Sequence, residues 1–122
     1  MRLKLLGLCL PMLLISCQPA MAQEVDVLRL KEAIYRAEGG IKSKSPYGIL
    51  SVPCKGKAHC GKICENTIRN NLRRWHRTGR KVPFLTFLAG KYAPVGSDTD
   101  NGTNRHWLGN VRAIYDKLGR VA

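Results

Sequence analysis

Apolar residues recur every three or four positions in four separate segments of the chain, and this spacing is the strongest constraint on its fold. Such a period places apolar side chains on one face of an α-helix. It predicts helices over residues 25–38, about 61–78, 83–90 and about 104–118. No internal repeat or linker separates them, so we expect one mainly helical domain. The inward positions are Val27, Leu30, Ile34 and Ala37, then Ile63, Thr67, Ile68, Leu72 and Trp75, then Phe84, Leu85, Phe87 and Leu88, and finally Trp107, Leu108, Val111, Ile114 and Tyr115.

Two connecting segments have the composition of loops. Residues 41–60 contain Gly, Pro, Ser and Lys around one apolar patch, residues 49–52, which indicates a loop or a short β-ribbon. Residues 95–104 are rich in Gly, Ser, Asp, Thr and Asn, which are typical of an irregular loop. The predicted fold is therefore mainly α, with a small β or irregular element beside the first helix.

The first 22 residues have the features of an export signal. Arg2 and Lys4 precede an apolar run over residues 5–15, and residues 20–22 have the A-x-A form of a cleavage site. The folded domain then spans residues 23–122 and is periplasmic or secreted. Residues 14–17 also resemble a bacterial lipobox, in which Cys17 would be acylated and would anchor an outer-membrane lipoprotein. Both processing routes remain open.

The charge of the chain favours anionic partners. Lys and Arg total 21 against 8 acidic residues, and removal of Arg2 and Lys4 leaves 19 against 8, a net charge of about +11. Such a field attracts nucleic acid, acidic lipid or wall polymers. Export argues against nucleic acid, so we expect anionic cell-wall polymers. Arg69, Arg73, Arg74 and Arg77 follow the outer face of the second helix, which is either a solvated face or a contact surface for the wall.

Three cysteines lie close together in the predicted mature domain. In an oxidising compartment a disulfide is the expected state, so two of Cys54, Cys60 and Cys64 should pair. Cys60 and Cys64 are four residues apart at the start of a predicted helix, so each is better placed to reach Cys54 than the other. A metal site with His59 is the alternative, but the paired C-x-x-C spacing is missing. We predict no metal and no cofactor.

Glu38 is the strongest candidate for chemistry. It ends the first predicted helix, is followed by Gly39 and Gly40, and lies at the margin of the buried face. Partial burial there would raise the pKa of its carboxyl group and retain the proton that a general acid donates. An isolated glutamate is more often a surface residue. Of the other acidic residues, Glu24, Asp26 and Glu32 lie away from the helix end, and Glu65 suits the first turn of the second helix.

The order of three short motifs resembles a known superfamily. Glu38 at a helix end, Gly48-Ile49-Leu50-Ser51 about ten residues later, and the stretch 88–93 ending in Tyr92-Ala93 are similar to goose-type lysozymes and lytic transglycosylases. The Glu-Gly-Gly start is also similar to phage-type and secreted peptidoglycan hydrolases of lysozyme-like fold. Gly39, Ser51 and Ala93 stand where many transglycosylases have Ser, Gln and Asn. These differences weaken the assignment to a particular branch of the superfamily more than the assignment to the superfamily itself.

The resemblance implies a lysozyme-like α+β fold and a role for several residues. Glu38 would protonate the bond between N-acetylmuramic acid and N-acetylglucosamine in a peptidoglycan glycan strand. Tyr92 would correspond to the tyrosine near the catalytic Glu. The glycan groove would be lined by residues 47–50, including Tyr47, Gly48 and Ile49, and Ser51 is a further substrate-binding candidate.

The second chemical step distinguishes two kinds of enzyme. In a lytic transglycosylase a hydroxyl group of the substrate attacks, one Glu suffices, and a 1,6-anhydro product forms. In a muramidase a second carboxylate is wanted. Asp98 and Asp100 are the candidates, although Asp in such loops usually stabilises turns. The run 98–101 also has some residues of a calcium loop but lacks the full twelve-residue pattern, so no metal is predicted there.

Two residues near the second loop are further candidates for sugar binding. Trp107 could stack on a sugar ring, and Asn104 could hydrogen-bond an N-acetyl group. The alternatives are a core position for Trp107 and a capping role for Asn104.

We therefore expect an exported, monomeric peptidoglycan-cleaving enzyme, either a lytic transglycosylase or a muramidase. The alternative is a non-enzymatic basic module that binds cell wall or membrane, in which Glu38 would have no catalytic role. A third interpretation is an inhibitor or adaptor that binds an acidic hydrolase through its basic surface.

Overall fold

The computed structural model describes residues 24–50 and 52–120, and this part of the chain is mainly helical. Its four α-helices are α1 (Val27–Ala37), α2 (Gly56–Arg77), α3 (Phe84–Tyr92) and α4 (Asn104–Arg120). The prediction of a mainly helical domain is confirmed. No strand occurs in the described residues, so the segment after α1 is irregular rather than a β-ribbon. It contains two 3₁₀ turns, Gly40–Lys42 and Pro46–Gly48.

Helix α1 has clear signals at both ends. The Asp26 side chain accepts a hydrogen bond of 3.0 Å from the backbone N–H of Arg29, which satisfies one free donor of the first turn. Gly39 then adopts a φ of +97°, a left-handed conformation that ends the helix and favours glycine. Between these ends α1 buries Leu30, Ala33 and Ile34. Glu38 thus becomes the residue that caps α1 at its C-terminus.

Helix α2 begins at Gly56, five residues before the predicted start at residue 61. The predicted start lies too far along the chain because residues 57–59 are exposed and show no apolar periodicity. Two local links stabilise this first turn instead. The backbone N–H of Lys55 donates to Nδ1 of His59 at 2.9 Å, and a disulfide joins Cys54 to Cys60.

The helices pack in an antiparallel order around one core. The start of α1 contacts the end of α4, where the backbone N–H of Asp26 donates to the Tyr115 hydroxyl at 3.0 Å. Lys31 of α1 pairs with Glu65 of α2 at 3.3 Å. The core residues with less than a tenth of their surface exposed include Leu30, Ile34, Cys60, Cys64, Ile68, Trp75, Phe84, Leu88, Trp107 and Val111.

This order brings the end of α1, the end of α3 and the start of α4 together beside the first half of α2. Glu38 after α1 contacts Trp107 in the first turn of α4, and Tyr92 at the end of α3 contacts both Trp107 and Cys64 of α2. We call this region the site end. It contains the candidate acid predicted from the sequence.

The pairing of the cysteines follows one of the two predicted routes. Cys54 is bonded to Cys60, while Cys64 is a buried thiol outside any disulfide of the described residues. The oxygen of the Tyr92 hydroxyl lies 3.7 Å from Sγ of Cys64. The part of the chain with described coordinates holds no group of three or more His, Cys, Asp or Glu side chains arranged for a metal ion.

Several predictions concern residues that the structure does not describe. The export signal, the lipobox at Cys17 and the candidate Ser51 all lie outside the described residues. Among the residues with described coordinates, no helix is both long enough and apolar enough to cross a bilayer.

The disulfide should stabilise the domain through the short loop that it closes. Replacing both Cys54 and Cys60 by Ser should lower the free energy of unfolding by about 2 kcal/mol, because the unfolded chain gains loop entropy. Urea denaturation of the variant and the parent measures this difference. Alkylation of the denatured, unreduced protein should modify Cys64 and spare the other two. Modification of Cys54 or Cys60 in that experiment would contradict the pairing.

Candidate active site

Glu38 is held at the end of α1 with its carboxyl group turned towards the site end. Its backbone N–H donates to the carbonyl oxygen of Ile34 at 2.9 Å, so the residue still belongs to the last helical turn. Gly39 and Gly40 both adopt positive φ angles, which turn the chain away immediately afterwards. The carboxyl group is therefore half-buried between neighbouring elements instead of extending into solvent.

The indole of Trp107 holds one oxygen of this carboxyl group. Nε1 of Trp107 donates a hydrogen bond of 2.9 Å to Oε1 of Glu38. Trp107 is 6% exposed, and its ring stacks on the Tyr92 ring with centroids 5.2 Å apart and planes 24° apart. An indole N–H only donates, so this bond occupies Oε1 as an acceptor and leaves Oε2 to carry a proton.

The backbone at Gly48 forms the opposite wall. A Cβ atom on Gly48 would lie 2.6 Å from Cδ of Glu38, closer than non-bonded atoms can approach, so a side chain there would force the Glu38 carboxyl group to move. The Tyr92 hydroxyl donates to the carbonyl oxygen of the preceding residue, Tyr47. Tyr47 has a φ of +67°, a strained conformation for a residue with a side chain. Tyr92 thus contacts both walls that enclose Glu38.

This environment raises the pKa of Glu38 above its ordinary value. Burial is the larger cause, because it disfavours the charged carboxylate, and the hydrogen bond from Trp107 partly opposes it. A carboxyl group with a raised pKa keeps its proton to higher pH than an exposed glutamate does. That is the state in which a general acid donates a proton to a leaving group.

The other ionisable groups at the site end are kept neutral. Burial raises the pKa of the Cys64 thiol to about 11, and burial also raises the pKa of the Tyr92 hydroxyl. Neither a thiolate nor a phenolate is therefore present near neutral pH. Both groups take part in hydrogen bonding and packing, and Glu38 supplies the carboxyl group among these residues.

Asp100 is committed to the loop before α4. Its two carboxylate oxygens accept hydrogen bonds from the backbone N–H groups of Gly96 (2.8 Å), Gly102 (2.8 Å) and Asn104 (3.2 Å). These bonds lower the pKa of Asp100, because each favours the charged form. This geometry is that of a turn-stabilising aspartate. Asp98, the other candidate base, lies exposed in the same loop.

The sequence-predicted site residues separate into two groups. The structure brings Glu38, Gly48, Tyr92 and Trp107 together and joins the Tyr47 backbone to them. The Tyr47 ring is only 3% exposed and packs on Tyr35 with centroids 5.0 Å apart, so its ring does not line a groove as predicted. Its positive φ turns the side chain into the core.

The remaining described candidates, Ile49 and Asn104, make other contacts. Ile49 lines a groove of about 350 Å³ with Lys44, Ser45, Leu50, Val52, Pro53 and Cys54. The side chain of Asn104 donates to the carbonyl oxygen of Pro94 at 2.9 Å, so its amide braces the loop before α4. Lys44 is not among the site residues predicted from the sequence. A lysine within the loop that follows the candidate acid is the only signal that could have indicated it.

No protein-family model matches the chain, and neither the curated proteins nor the solved structures include a match. The evidence for function is therefore the geometry of the site end itself.

Replacing Trp107 by Phe should raise the pKa of Glu38 further, because the variant keeps an apolar ring and loses the Nε1–H group that donates to Oε1. An NMR titration of the labelled Glu38 carboxyl carbon measures this directly. Any activity that needs the protonated acid falls as pH rises through this pKa, so in the variant that fall should move to higher pH. An unchanged or lowered pKa in folded protein would contradict the assigned hydrogen bond.

Replacing Gly48 by Ala should destabilise the protein more than replacing Gly79 by Ala. Both glycines have positive φ angles, +67° and +86°, so both variants lose about 1–2 kcal/mol to backbone strain. Only the Gly48 variant also places a methyl group against the Glu38 carboxyl group, which should add about 1 kcal/mol or more. Urea denaturation compares the two. Equal losses would mean that Gly48 does not press on Glu38.

Proposed function

We propose that the chain is a peptidoglycan-cleaving enzyme in which Glu38 is the general acid. The observation that carries the proposal is the half-buried carboxyl group of Glu38. One of its oxygens accepts from Trp107, the backbone of Gly48 lies against it, and burial raises its pKa. This is the environment in which glycosidases keep a carboxylic acid protonated.

In the proposed reaction Glu38 protonates the glycosidic oxygen between N-acetylmuramic acid and N-acetylglucosamine. The bond from the muramic acid C1 to that oxygen breaks as positive charge develops on the sugar ring. The substrate's own C6 hydroxyl then attacks C1, and the Glu38 carboxylate accepts its proton. The products are a free 4-hydroxyl group and a 1,6-anhydro sugar. Glu38 thereby regains the proton that it donated.

Asp100 favours this lytic transglycosylase mechanism over a muramidase mechanism. A hydrolase would use a second carboxylate to activate water, and Asp100 is instead engaged by three backbone N–H groups. An intramolecular attack needs only one carboxyl group. The geometry therefore supports a one-carboxylate enzyme.

We also propose a lysozyme-like fold and a location outside the cytoplasm. A lysozyme-like fold is supported by the candidate acid at a helix end, an irregular segment after it, and Tyr92 beside the acid. The groove lined by Ile49 and Lys44 follows directly from Gly48 and suits a glycan strand that carries carboxylates. We place the mature domain in the periplasm or outside the cell, either free or anchored through Cys17.

The non-enzymatic alternative, a basic module that binds wall or membrane, explains less of the structure. It accounts for exposed cations but gives no reason to desolvate a carboxyl group. Burial of an ionisable group costs free energy because it disfavours the charged form, and a binding module gains no function from a buried carboxyl group. A general acid, in contrast, depends on it.

Replacing Glu38 by Gln should abolish cleavage of purified peptidoglycan. Gln keeps the oxygen that accepts from Trp107 and has no proton of comparable acidity to donate. Mass spectrometry of the released muropeptides should find 1,6-anhydro products with the parent protein alone. The matched control is Glu32→Gln, also on α1, where Glu32 pairs with Arg36 at 2.8 Å, and it should stay active.

Three other outcomes would change the conclusion. Reducing-end products would mean a muramidase and would return Asp98 to consideration as the base. Cleavage by folded Glu38→Gln protein would remove Glu38 from the mechanism. No release by folded parent protein from several wall types would overturn the enzyme proposal.

A further inference from the structure

A second surface, far from Glu38, carries a concentration of positive charge. The chain contains no Asp or Glu between residues 66 and 97, and the second half of α2 and the loop after it fall within this stretch. Six cations here are exposed, and we call them the basic end. They are Arg69, Arg73, Arg74, Arg77, Arg80 and Lys81.

Most of this charge is uncompensated. Arg69 pairs with Glu65 at 3.1 Å, and within the described residues none of the other five forms an ion pair. Their hydrogen bonds go to neutral groups: Arg74 donates to the Asn71 side chain at 3.4 Å, and Arg77 to the Arg73 carbonyl oxygen at 3.5 Å.

The spacing of these arginines places like charges next to one another on α2, and the helix C-terminus offsets this only for Arg74 and Arg77 in its last turn. Arg69, Arg73 and Arg77 follow one another at four-residue intervals, so they are neighbours on one face of α2. Like charges at this spacing destabilise a helix. A solvated helix face normally alternates the two signs, as Glu32 and Arg36 do on α1. An anionic partner would remove the repulsion.

The loop after α2 adds an apolar side chain among the cations. Val82 follows Lys81 and is 43% exposed. The loop is held to the core, because Nε1 of the buried Trp75 donates to the Val82 carbonyl oxygen at 2.7 Å. The Arg80 guanidinium also lies over the Trp75 ring, 5.9 Å from its centroid. A fixed loop that presents an apolar residue beside cations suits the boundary between lipid headgroups and acyl chains.

We propose that the basic end binds an anionic phospholipid surface. Arginine predominates over lysine in it, and a guanidinium group can donate two parallel hydrogen bonds to a phosphate oxygen pair. The cations project from an outer helix face and its terminal loop, so a flat layer of headgroups can meet several of them together. The exposed Val82 distinguishes a lipid surface from a purely ionic polymer.

Binding in this way would orient the site end. Cys64 of α2 lies at the site end, and Arg77 is 13 residues further along the same helix, about 20 Å away. A membrane held at the basic end would therefore leave Glu38 facing away from the lipid and towards the wall. This orientation rests on the proposed cleavage of peptidoglycan, whereas the lipid binding itself does not.

The test is co-sedimentation of the unacylated protein with vesicles. The parent should bind vesicles that mix phosphatidylglycerol with phosphatidylcholine, should not bind phosphatidylcholine alone, and should be released by salt. Replacing both Arg73 and Arg77 by Gln should weaken binding about 20-fold or more, because each cation near an anionic surface contributes severalfold. The matched control replaces two exposed cations near the site end by Gln. They are Lys55, just before α2, and Lys62, in the first half of α2. This control variant should weaken binding less than about threefold.

Three results would overturn the lipid proposal. The first is equal weakening of vesicle binding by the two double variants, which would indicate that only net charge matters. The second is binding to vesicles made of phosphatidylcholine without anionic lipid. The third is binding to soluble polyphosphate without binding to vesicles. Peptidoglycan release in solution separates the two proposals. If the Arg73/Arg77 variant loses lipid binding but releases peptidoglycan fragments normally, both proposals are supported. If the parent protein binds vesicles but releases no peptidoglycan fragments, only the enzyme proposal is overturned.

Discussion

The hydrogen bond from the Trp107 indole to the Glu38 carboxyl group joins residues 69 positions apart, and the site end depends on it. A carboxyl group can be half-buried in a small domain only if the groups around it satisfy its oxygens. Trp107 does this for one oxygen from the first turn of α4. The bond therefore fixes how the end of α1 meets the start of α4, and it sets the balance between burial and stabilisation that determines the acidity of Glu38.

Close packing on the other side of Glu38 makes the arrangement specific. Gly48 approaches so closely that a side chain on it would displace the Glu38 carboxyl group from its present position, and Tyr47 holds a positive φ immediately before it. Tyr92 connects the two sides, since its ring stacks on Trp107 and its hydroxyl donates to the Tyr47 carbonyl oxygen. A strained backbone persists where surrounding contacts determine it, and such strain concentrates at functional sites.

The enclosed acid and the basic end lie beside opposite halves of α2. At its first half lie the neutral, buried Cys64 and the enclosed Glu38, and at its second half lie exposed arginines with little compensation. A half-buried acid and a basic surface make different demands on their surroundings, because one needs exclusion of water and the other needs access to a partner. A helix of 22 residues is long enough to hold them apart. The proposed cleavage and the proposed lipid contact are therefore compatible in one small domain.

The amino-acid sequence by itself determined the four helices, the position of Glu38 at a helix end, the acid-free arginine stretch and the participation of Cys54 in a disulfide. These follow from local periodicity, glycine positions and spacing. Tertiary structure decided the earlier start of α2, the choice of Cys60 over Cys64, the burial of the Tyr47 ring, the commitment of Asp100 to its loop and the pairing of Trp107 with Glu38. The last of these depends on which distant residues meet in space, and periodicity within a segment carries no information about that contact.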